Sequence, residues 1–417
     1  MQLTPHQQEA ADTLLSALHN NADVVSLSGP AGSGKTTLLK TLVPLLEEEY
    51  FDVLVVTPTN KAAKVLNDKG LDAGTIHSRF FVPLPDVKPL KFVSAVEWVE
   101  SGLALPDGKR DHAVVVVCDE ASMLQTHMMN KLRQMAYHVV LVGDPHQLPP
   151  VNDRINSAGF FNSRTPTARL DEILRQAEGS EILDVATAIR TGGEFHRSLK
   201  AFGPELSFAQ TVGASGDMPQ FIAYTNKERA KANRLIRQVR GHISALPAVG
   251  EKMICSTNYS DLLLNGTECF IEDFYWNGHA AYASVRLRVE TSRGSIVEKA
   301  DVSMHTFLRD LQAGQQEGFA HKYAEWAVEE NKYGDVWLGL RYGYCITAHA
   351  SQGSEYESVV VLDQLDTIKY VAEQNKDDRM TPNEMVRRWV YTAITRAKQD
   401  LIFAPTHWVN AMGRAAA

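Results

Sequence analysis

The sequence predicts an α/β protein with parallel sheets, interrupted late in the chain by an antiparallel β-rich block. Three observations predict it. Short apolar runs alternate with helical stretches, and polar clusters fall at the C-terminal ends of the runs, the edge where open α/β sheets bind ligands. One cluster, Gly29-Pro-Ala-Gly-Ser-Gly-Lys-Thr36, has the spacing of a phosphate-binding loop and sits between a strand, Asp23 to Ser28, and a helix, Thr37 to Glu49. Residues 250 to 304 instead hold four β-rich runs with Asn265-Gly266 and Asn277-Gly278 as turn dipeptides.

The elements follow in order. Thr4 is placed to cap a helix over Glu9 to Leu18, with Pro5 at its first position. Gln7 carries the amide donor and acceptor that an adenine edge requires, or it is a surface glutamine. Asp52 to Pro58 is a continuous apolar run of the parallel-sheet kind, leading through Thr57-Pro-Thr-Asn60 into a helix reaching Leu66. Gly74 to Ser78 is a second polar loop. Val114 to Cys118 and His138 to Val142 are further strands, ending in Asp119-Glu120 and in Gly143 to Pro150. Residues 81 to 112 break the rhythm, and Pro83, Pro85 and Pro89 stiffen this excursion. A helix is expected over Glu181 to Arg190, irregular chain over Gly192 to Gly216, a strand over Phe221 to Asn226 and a basic helix over Lys227 to Arg240. The β-rich runs are Met253–Thr257, Glu268–Phe274, Ala281–Val289 and Ser295–Val302, read as a small barrel, followed by a helical stretch from His305 to Glu330. From Tyr344 the α/β rhythm resumes, with strands at Val359–Asp363 and Leu401–Ala404.

The 417 residues allow two to four domains, and 44% hydrophobic with 22% charged residues is an ordinary globular composition. No run of about 18 apolar residues suggests a membrane span, and MQLTPHQQEA lacks signal-peptide regions. Cys118, Cys255, Cys269 and Cys345 are scattered, which argues for buried thiols and against a disulfide or zinc framework. These features point to a cytoplasmic setting without membrane contact. A net charge of −8 argues against a generally basic coat for nucleic acid but permits a local basic groove.

Glycines at 29, 32 and 34 let the loop turn its amides inward at a phosphate, and the helix N-terminus adds positive dipole. Lys35 is placed to reach the β- and γ-phosphates of ATP, and Thr36 to ligate Mg²⁺. Asp119 at a strand end is the second expected Mg²⁺ ligand, and Glu120 the group that deprotonates the attacking water; the bland alternative is an acidic helix cap. Gln147 ends the next strand and is placed to sense the γ-phosphate or to align the water, with a plain loop glutamine as the alternative. Arg175 and Arg396 are candidates to stabilise transition-state charge.

In series, these blocks resemble superfamily 1 helicases, most closely the 5′→3′ branch (superfamily 1B) with the phage Dda-type and RecD-type enzymes. Gln7 matches the Q-motif position, GPAGSGKT motif I, TPTNKAA motif Ia and GTIHS motif Ib. CDEAS matches motif II, GDPHQLPPV motif III, LDEILRQ the motif IV-region arginine, ITAHASQGSEY motif V and VYTAITRAK motif VI. The resemblance implies two RecA-like domains, 1–180 and 181–251 with 341–417. It implies a pin-like insertion at 81–112 in the first and an SH3-like β-barrel at 252–340 in the second. It implies that Gln7, Gly29, Pro30, Ala31, Gly32, Ser33, Gly34, Lys35, Thr36, Thr37, Gly353 and Glu355 border ATP, with Arg175 and Arg396 as finger residues. The implied reaction is ATP-dependent translocation 5′→3′ on single-stranded DNA with duplex unwinding. Implied partners are single-stranded and tailed duplex DNA and replication or recombination proteins, the helicase itself acting as a monomer.

A strand-gripping motor contacts phosphates with hydroxyls and amides and stacks on bases. Thr57, Thr59, Asn60, Thr75, His77, Thr225, Asn226, Thr347 and His349 form the expected phosphate-contact set, with Pro58 a further expected DNA-binding position among them. Phe80, Phe81 and Trp389 are candidate stacking rings, with the core as their alternative. Phe92 is a candidate pin-tip residue or an anchor, and Trp98 an anchor. The motor motifs do not report sugar type, so an RNA helicase is the near alternative. A P-loop switch or small-molecule kinase is the distant one, and it leaves the second α/β half unexplained.

Overall fold

In a computed structural model the chain divides into two compact units, Met1–Leu183 and Asp184–Ala417. The residues described are 3–49, 53–83, 92–94, 114–150, 165, 167–172, 180–213, 218–244, 246–277, 282–291, 294–304, 337–375 and 380–410. Arg175, Trp98 and the expected helix from His305 to Glu330 lie outside them. No helix among the described residues is long and apolar enough to cross a membrane.

The first unit runs α1 (Pro5–His19), β1 (Val24–Ser28), α2 (Lys35–Glu49), β2 (Val53–Thr57), α3 (Asn60–Asp68), β3 (Ala73–Thr75) and α4 (Ile76–Phe80). It continues through β4 (Phe81–Pro83), β5 (Phe92–Ser94), β6 (Val114–Cys118), α5 (Thr126–Met135), β7 (Ala136–Gly143) and β8 (Thr167–Arg169). Its sheet has the order β3-β2-β6-β7-β1-β8, with every pairing parallel. β6 lies between β2 and β7 and is buried along its whole length, which is why it reads as four valines and a cysteine with no alternation. Leu38, Leu42 and Leu46 of α2 pack one face of the sheet, with Leu14 and Leu18 of α1. Met128, Leu132 and Met135 of α5 pack the other. β8 was not expected: three residues with one buried side chain extend the sheet beside β1, and Ser26 Oγ meets Thr167 Oγ1 at 2.7 Å. β4 and β5 form a separate antiparallel ladder, Phe81 opposite Ser94 and Pro83 opposite Phe92.

The second unit contains α6 (Glu181–Arg190, which starts at the end of the first), α7 (His196–Leu199), α8 (Phe208–Gly213), β9 (Gln220–Ala223) and α9 (Asn226–Val239). Next come β10 (Lys252–Cys255), β11 (Glu268–Tyr275), β12 (Tyr282–Thr291), β13 (Gly294–Ser303) and β14 (Leu340–Tyr342). β15 (Cys345–Thr347), α10 (Ala348–Ser351), β16 (Tyr356–Asp363), α11 (Leu365–Asn375), α12 (Pro382–Ile394), β17 (Ala397–Pro405) and α13 (Thr406–Asn410) complete it. Two short helices therefore stand where irregular chain was expected over Gly192 to Gly216, because Leu199, Phe208 and Val212 find core to pack against. A parallel sheet, β15-β9-β16-β17, carries the α/β part. The β-rich block is an antiparallel sheet, β13-β12-β11-β10-β14, between α9 and β15 in sequence. Its ends approach: Ser303 N donates to Leu338 O at 3.0 Å and Leu338 N to Asp301 O at 2.8 Å, two residues before β14.

One hydrophobic core runs through both sheets of this unit, from Phe221 and Ile236 to Met253, Leu287 and Val302. A buried ion pair sits at the junction. Arg237 of α9 meets Glu251 at 2.8 Å, also donates to the Ser244 and Leu246 carbonyls, and lies 4.2 Å over the Tyr342 ring. With its remaining donors and acceptors engaged, such a pair tolerates burial.

Candidate functional site: a phosphate cradle and capped strand ends

The loop from β1 to α2 has the geometry of an anion cradle. Gly32 and Gly34 adopt φ of 81° and 83°, a region that disfavours side chains. A Cβ on Gly29 would stand 2.6 Å from Ser33 Oγ and 2.8 Å from Leu170 O, so that position has no room for one. Gly29 N donates to Gly143 O at 3.1 Å, tying the loop to the end of β7. Lys35 Nζ donates to the carbonyls of Gly29 and Pro30, 2.8 Å each, so the ammonium arches back over the loop. Ala31, Thr36 and Thr37 are half-buried around it. Ser33 Oγ is buried and has no hydrogen-bond partner among the described residues, and a phosphate oxygen would satisfy it. The loop thus fits a nucleotide phosphate.

Thr4 and Gln7 form a reciprocal capping box at the start of α1. Gln7 Oε1 accepts from Thr4 N at 3.0 Å while Nε2 donates to Gly34 O at 3.4 Å. In this structure Gln7 is buried and braces the phosphate loop, with both ends of its amide engaged.

Three neighbouring strands, β6, β7 and β1, deliver the remaining groups at one edge. Asp119 N donates to Val56 O, and Asp119 Oδ1 accepts from Glu120 N at 2.9 Å. Burial, with Glu120 beside it, pushes the Asp119 carboxyl up to about 6, while the nearby Lys35 ammonium pulls it down. Glu120 itself stands at φ 54°, ψ 37°, one of two non-glycine residues with positive φ among those described. Such outliers persist where surrounding structure enforces them. Gln147 is buried at the corner after β7, its N–H on Asp144 O at 3.2 Å. Among the described residues no group of three or more His, Cys, Asp or Glu could hold a metal alone. Thr36 and Asp119 suit Mg²⁺ instead, which takes one or two protein ligands plus phosphate oxygens.

Four of the expected nucleic-acid contacts share one local structure. Thr75 and Thr347 end a parallel strand, Thr59 and Thr225 stand two residues past one, and each caps the next helix, accepting from the N–H of Ser78, Ala350, Ala62 and Glu228 at 3.1–3.3 Å. The helices capped by Thr59 and Thr225 are long enough for their N-termini to attract an anion. Thr57 is fully buried and donates to Thr59 O at 2.7 Å, so it shapes the first corner; Pro58 and Asn60 flank it. Asn226 Oδ1 accepts from Arg229 Nε at 3.1 Å, and His349 is half-buried on α10. His77 stacks on Phe81 at 4.8 Å; partial burial of the ring, then the nearby His127, lowers its pKa below the ordinary histidine value.

Two stacking candidates need correction. Phe80 is 3% exposed, packed with Ile76 and Met129, and Trp389 is fully buried on α12. Neither has a ring face available to a base; Phe81 is half-buried, with His77 stacked on it and the Lys131 ammonium over its ring. Phe92 pairs through its backbone with Pro83.

In the second unit Arg396 is buried. Its Nε donates to Thr392 O at 3.0 Å, Nη1 to Ser354 O at 3.2 Å and Nη2 to Thr395 Oγ1 at 3.2 Å. Arg396 therefore touches the turn that holds Gly353 (φ 72°) and the exposed Glu355. One residue escaped the sequence reading: Gln364, buried at the end of β16, bonds to the corner that bears Thr225. A lone glutamine after an apolar run gave no signal.

Comparisons with known proteins agree with this geometry. A family described as "AAA domain" matches residues 2–203, and the "UvrD-like helicase C-terminal domain" matches residues 342–404. The ATP-dependent DNA helicase dda of Enterobacteria phage T4 is 26% identical over 260 residues, 57% of this chain and 57% of that one. The ATP-dependent RecD2 DNA helicase of Deinococcus radiodurans is 28% identical over 179 residues, 40% of this chain and 22% of its own. The chain thus spans little more than half the length of the first relative and less of the second. Among solved structures, Bacteroides Pif1 helicase in complex with ADP-AlF3 and single-stranded DNA shares the fold, with TM-score 0.58 and 18% identity over 100% of this chain and 97% of that one. Pif1 helicase of Candida albicans does so with TM-score 0.55 and 17% identity over the full length of both. With the phosphate cradle and acidic pair in the segment that matches the AAA domain, and Arg396 in the segment that matches the UvrD-like helicase C-terminal domain, the chain is similar to ATP-dependent DNA helicases of the Dda and RecD type.

Proposed function

We propose that this chain is an ATP-driven motor that moves 5′→3′ along single-stranded DNA and unwinds the duplex ahead of it. The observation that carries this reading is the repeated threonine-capped strand end, two in each unit, in a chain that also holds a phosphate cradle. A kinase or a simple nucleotide switch has no use for four such corners. A tracked phosphate backbone does, because it presents one anion per nucleotide.

In this reading residues 29–37 hold the triphosphate, Gln7 braces that loop from α1, and Gly353 and Glu355 also border the nucleotide. Thr36 and Asp119 hold Mg²⁺, which supplies charge neutralisation at the phosphate oxygens. Glu120 takes the proton of the attacking water, Gln147 aligns it, and Arg175 and Arg396 stabilise the charge that develops on the transferred group. Residues 1–180 form one RecA-like domain and residues 181–251 with 341–417 the other, and their closure couples hydrolysis to stepping. The β4–β5 ladder supports a pin within 81–112, and the Leu338–Ser303 bonds support an SH3-like barrel within 252–340. The DNA named in the Bacteroides Pif1 complex favours DNA over RNA as track. The protein acts as a monomer in the cytoplasm of a bacterial or phage-infected cell, beside replication or recombination proteins.

Steady-state ATP hydrolysis with oligothymidylate, with oligouridylate and without either tests this. Stimulation of about tenfold or more by oligothymidylate is expected. Stimulation by oligouridylate alone makes it an RNA motor, and indifference to both refutes a motor.

A further inference from the structure

The geometry points to Gln364 as a positioning residue that turns the Thr225 hydroxyl into an obligate hydrogen-bond donor toward the nucleic-acid backbone. This deepens the proposed function and rests on it.

β9 and β16 are parallel neighbours, Ile222 beside Val361, so their C-terminal ends lie side by side. Gln364 follows β16 and is 4% exposed. Its Oε1 accepts from Tyr224 N at 2.7 Å. A backbone N–H can only donate, so this bond fixes which end of the amide is oxygen. The NH₂ end then faces Thr225 Oγ1 at 3.4 Å and can only donate to it. The same hydroxyl oxygen accepts from Glu228 N at 3.2 Å as the cap of α9. A hydroxyl oxygen has two lone pairs, and both are engaged. Its proton is left to give away, and no acceptor takes it among the described residues. A hydroxyl so polarised beside a helix N-terminus selects an anionic oxygen.

The other three capping threonines, Thr59, Thr75 and Thr347, accept from their helix amides but take no second donor among the described residues. The Thr225 corner is thus the one whose donor sense is set in advance. Asn226 and Lys227, both exposed, follow it on the first turn of α9. Setting the donor in advance removes an ordering cost from binding, the usual source of affinity in a preorganised contact.

The test uses the full chain and a 5′-fluorescein oligothymidylate, read by anisotropy and by ATPase stimulation. Gln364→Glu still accepts from Tyr224 N–H, but its second oxygen captures the Thr225 proton. The oligonucleotide Kd should rise roughly tenfold, the size expected for one charge-assisted hydrogen bond. The loss should appear in the oligonucleotide concentration for half-maximal stimulation, and exceed any loss of maximal rate at least fivefold. Gln364→Met should weaken binding about threefold, and Thr225→Val about tenfold. In the Thr225→Val background Gln364→Met should add nothing, because the hydroxyl it orients is gone. Wild-type affinity in a folded Gln364→Glu variant overturns the inference. So does a further loss from Gln364→Met when Thr225 is already valine, which makes Gln364 a packing residue. A wild-type protein that ignores oligothymidylate overturns the proposed function together with the inference. Normal wild-type binding with indifferent variants overturns the inference alone.

Discussion

Glu120 joins backbone strain to the proposed chemistry, and the two are separable. Its φ of 54° and ψ of 37° place it in the left-handed region. There a residue with a Cβ pays about 1 kcal/mol that glycine does not. Replacing Glu120 by alanine or by glycine removes the same carboxylate, but only glycine relieves the backbone. The Gly variant should therefore be more stable than the Ala variant by about 1 kcal/mol, the reverse of their order inside a helix. For a unit the size of Met1–Leu183 that corresponds to a midpoint about 2–4 °C higher. Thermal unfolding of the two variants in parallel reads the difference. Both should also hydrolyse ATP at least about 10² times more slowly than wild type, as should Glu120→Gln with ATP binding retained. An Ala variant as stable as the Gly variant refutes the strain argument. A Gln variant at the wild-type rate moves the base elsewhere.

Three further outcomes can be measured. Arg175→Ala and Arg396→Ala should each lower kcat by roughly 10³ with a smaller change in the KM for ATP, measured in steady-state turnover; a change confined to KM makes that arginine a binding residue. Phe92→Ala should lose unwinding while oligonucleotide-stimulated hydrolysis persists if Phe92 acts at the fork, and joint loss of both makes it an anchor. Cys118, Cys255, Cys269 and Cys345 are all buried, and burial pushes the Cys345 thiol up to about 12 and Cys118 higher still. A disulfide-exchange reagent should leave all four unreacted in the native protein at pH 8 and react with all four once the chain is denatured.

What was legible in the sequence is what local chemistry dictates alone. The phosphate loop needs glycine where φ is positive, and Gly32 and Gly34 stand there. β6 reads as a strand because nothing but a doubly covered strand asks for an unbroken valine run. The capping threonines were visible as polar strand ends, although their shared capping role needed the structure. β8 was illegible because three residues with one inward side chain carry no period, and only the neighbouring β1 makes them a strand. The core alternative for Phe80 was legible too. Ile76 and Phe80 are four residues apart on one short helix and share its buried face, which leaves Phe81 as the outer ring. Gln364 was beyond reach: its meaning lies in a bond to a residue 140 positions away.

Unwinding of short duplexes with a single-stranded tail at the 5′ or the 3′ end, followed by strand release with ATP and Mg²⁺, tests the central claim most directly. Lys35→Ala serves as the control without hydrolysis. The account predicts that the 5′-tailed duplex is separated by the wild-type protein, that the 3′-tailed duplex is not, and that Lys35→Ala separates neither. Separation of the 3′-tailed duplex as fast as the 5′-tailed one, or unwinding that survives Lys35→Ala, would contradict it.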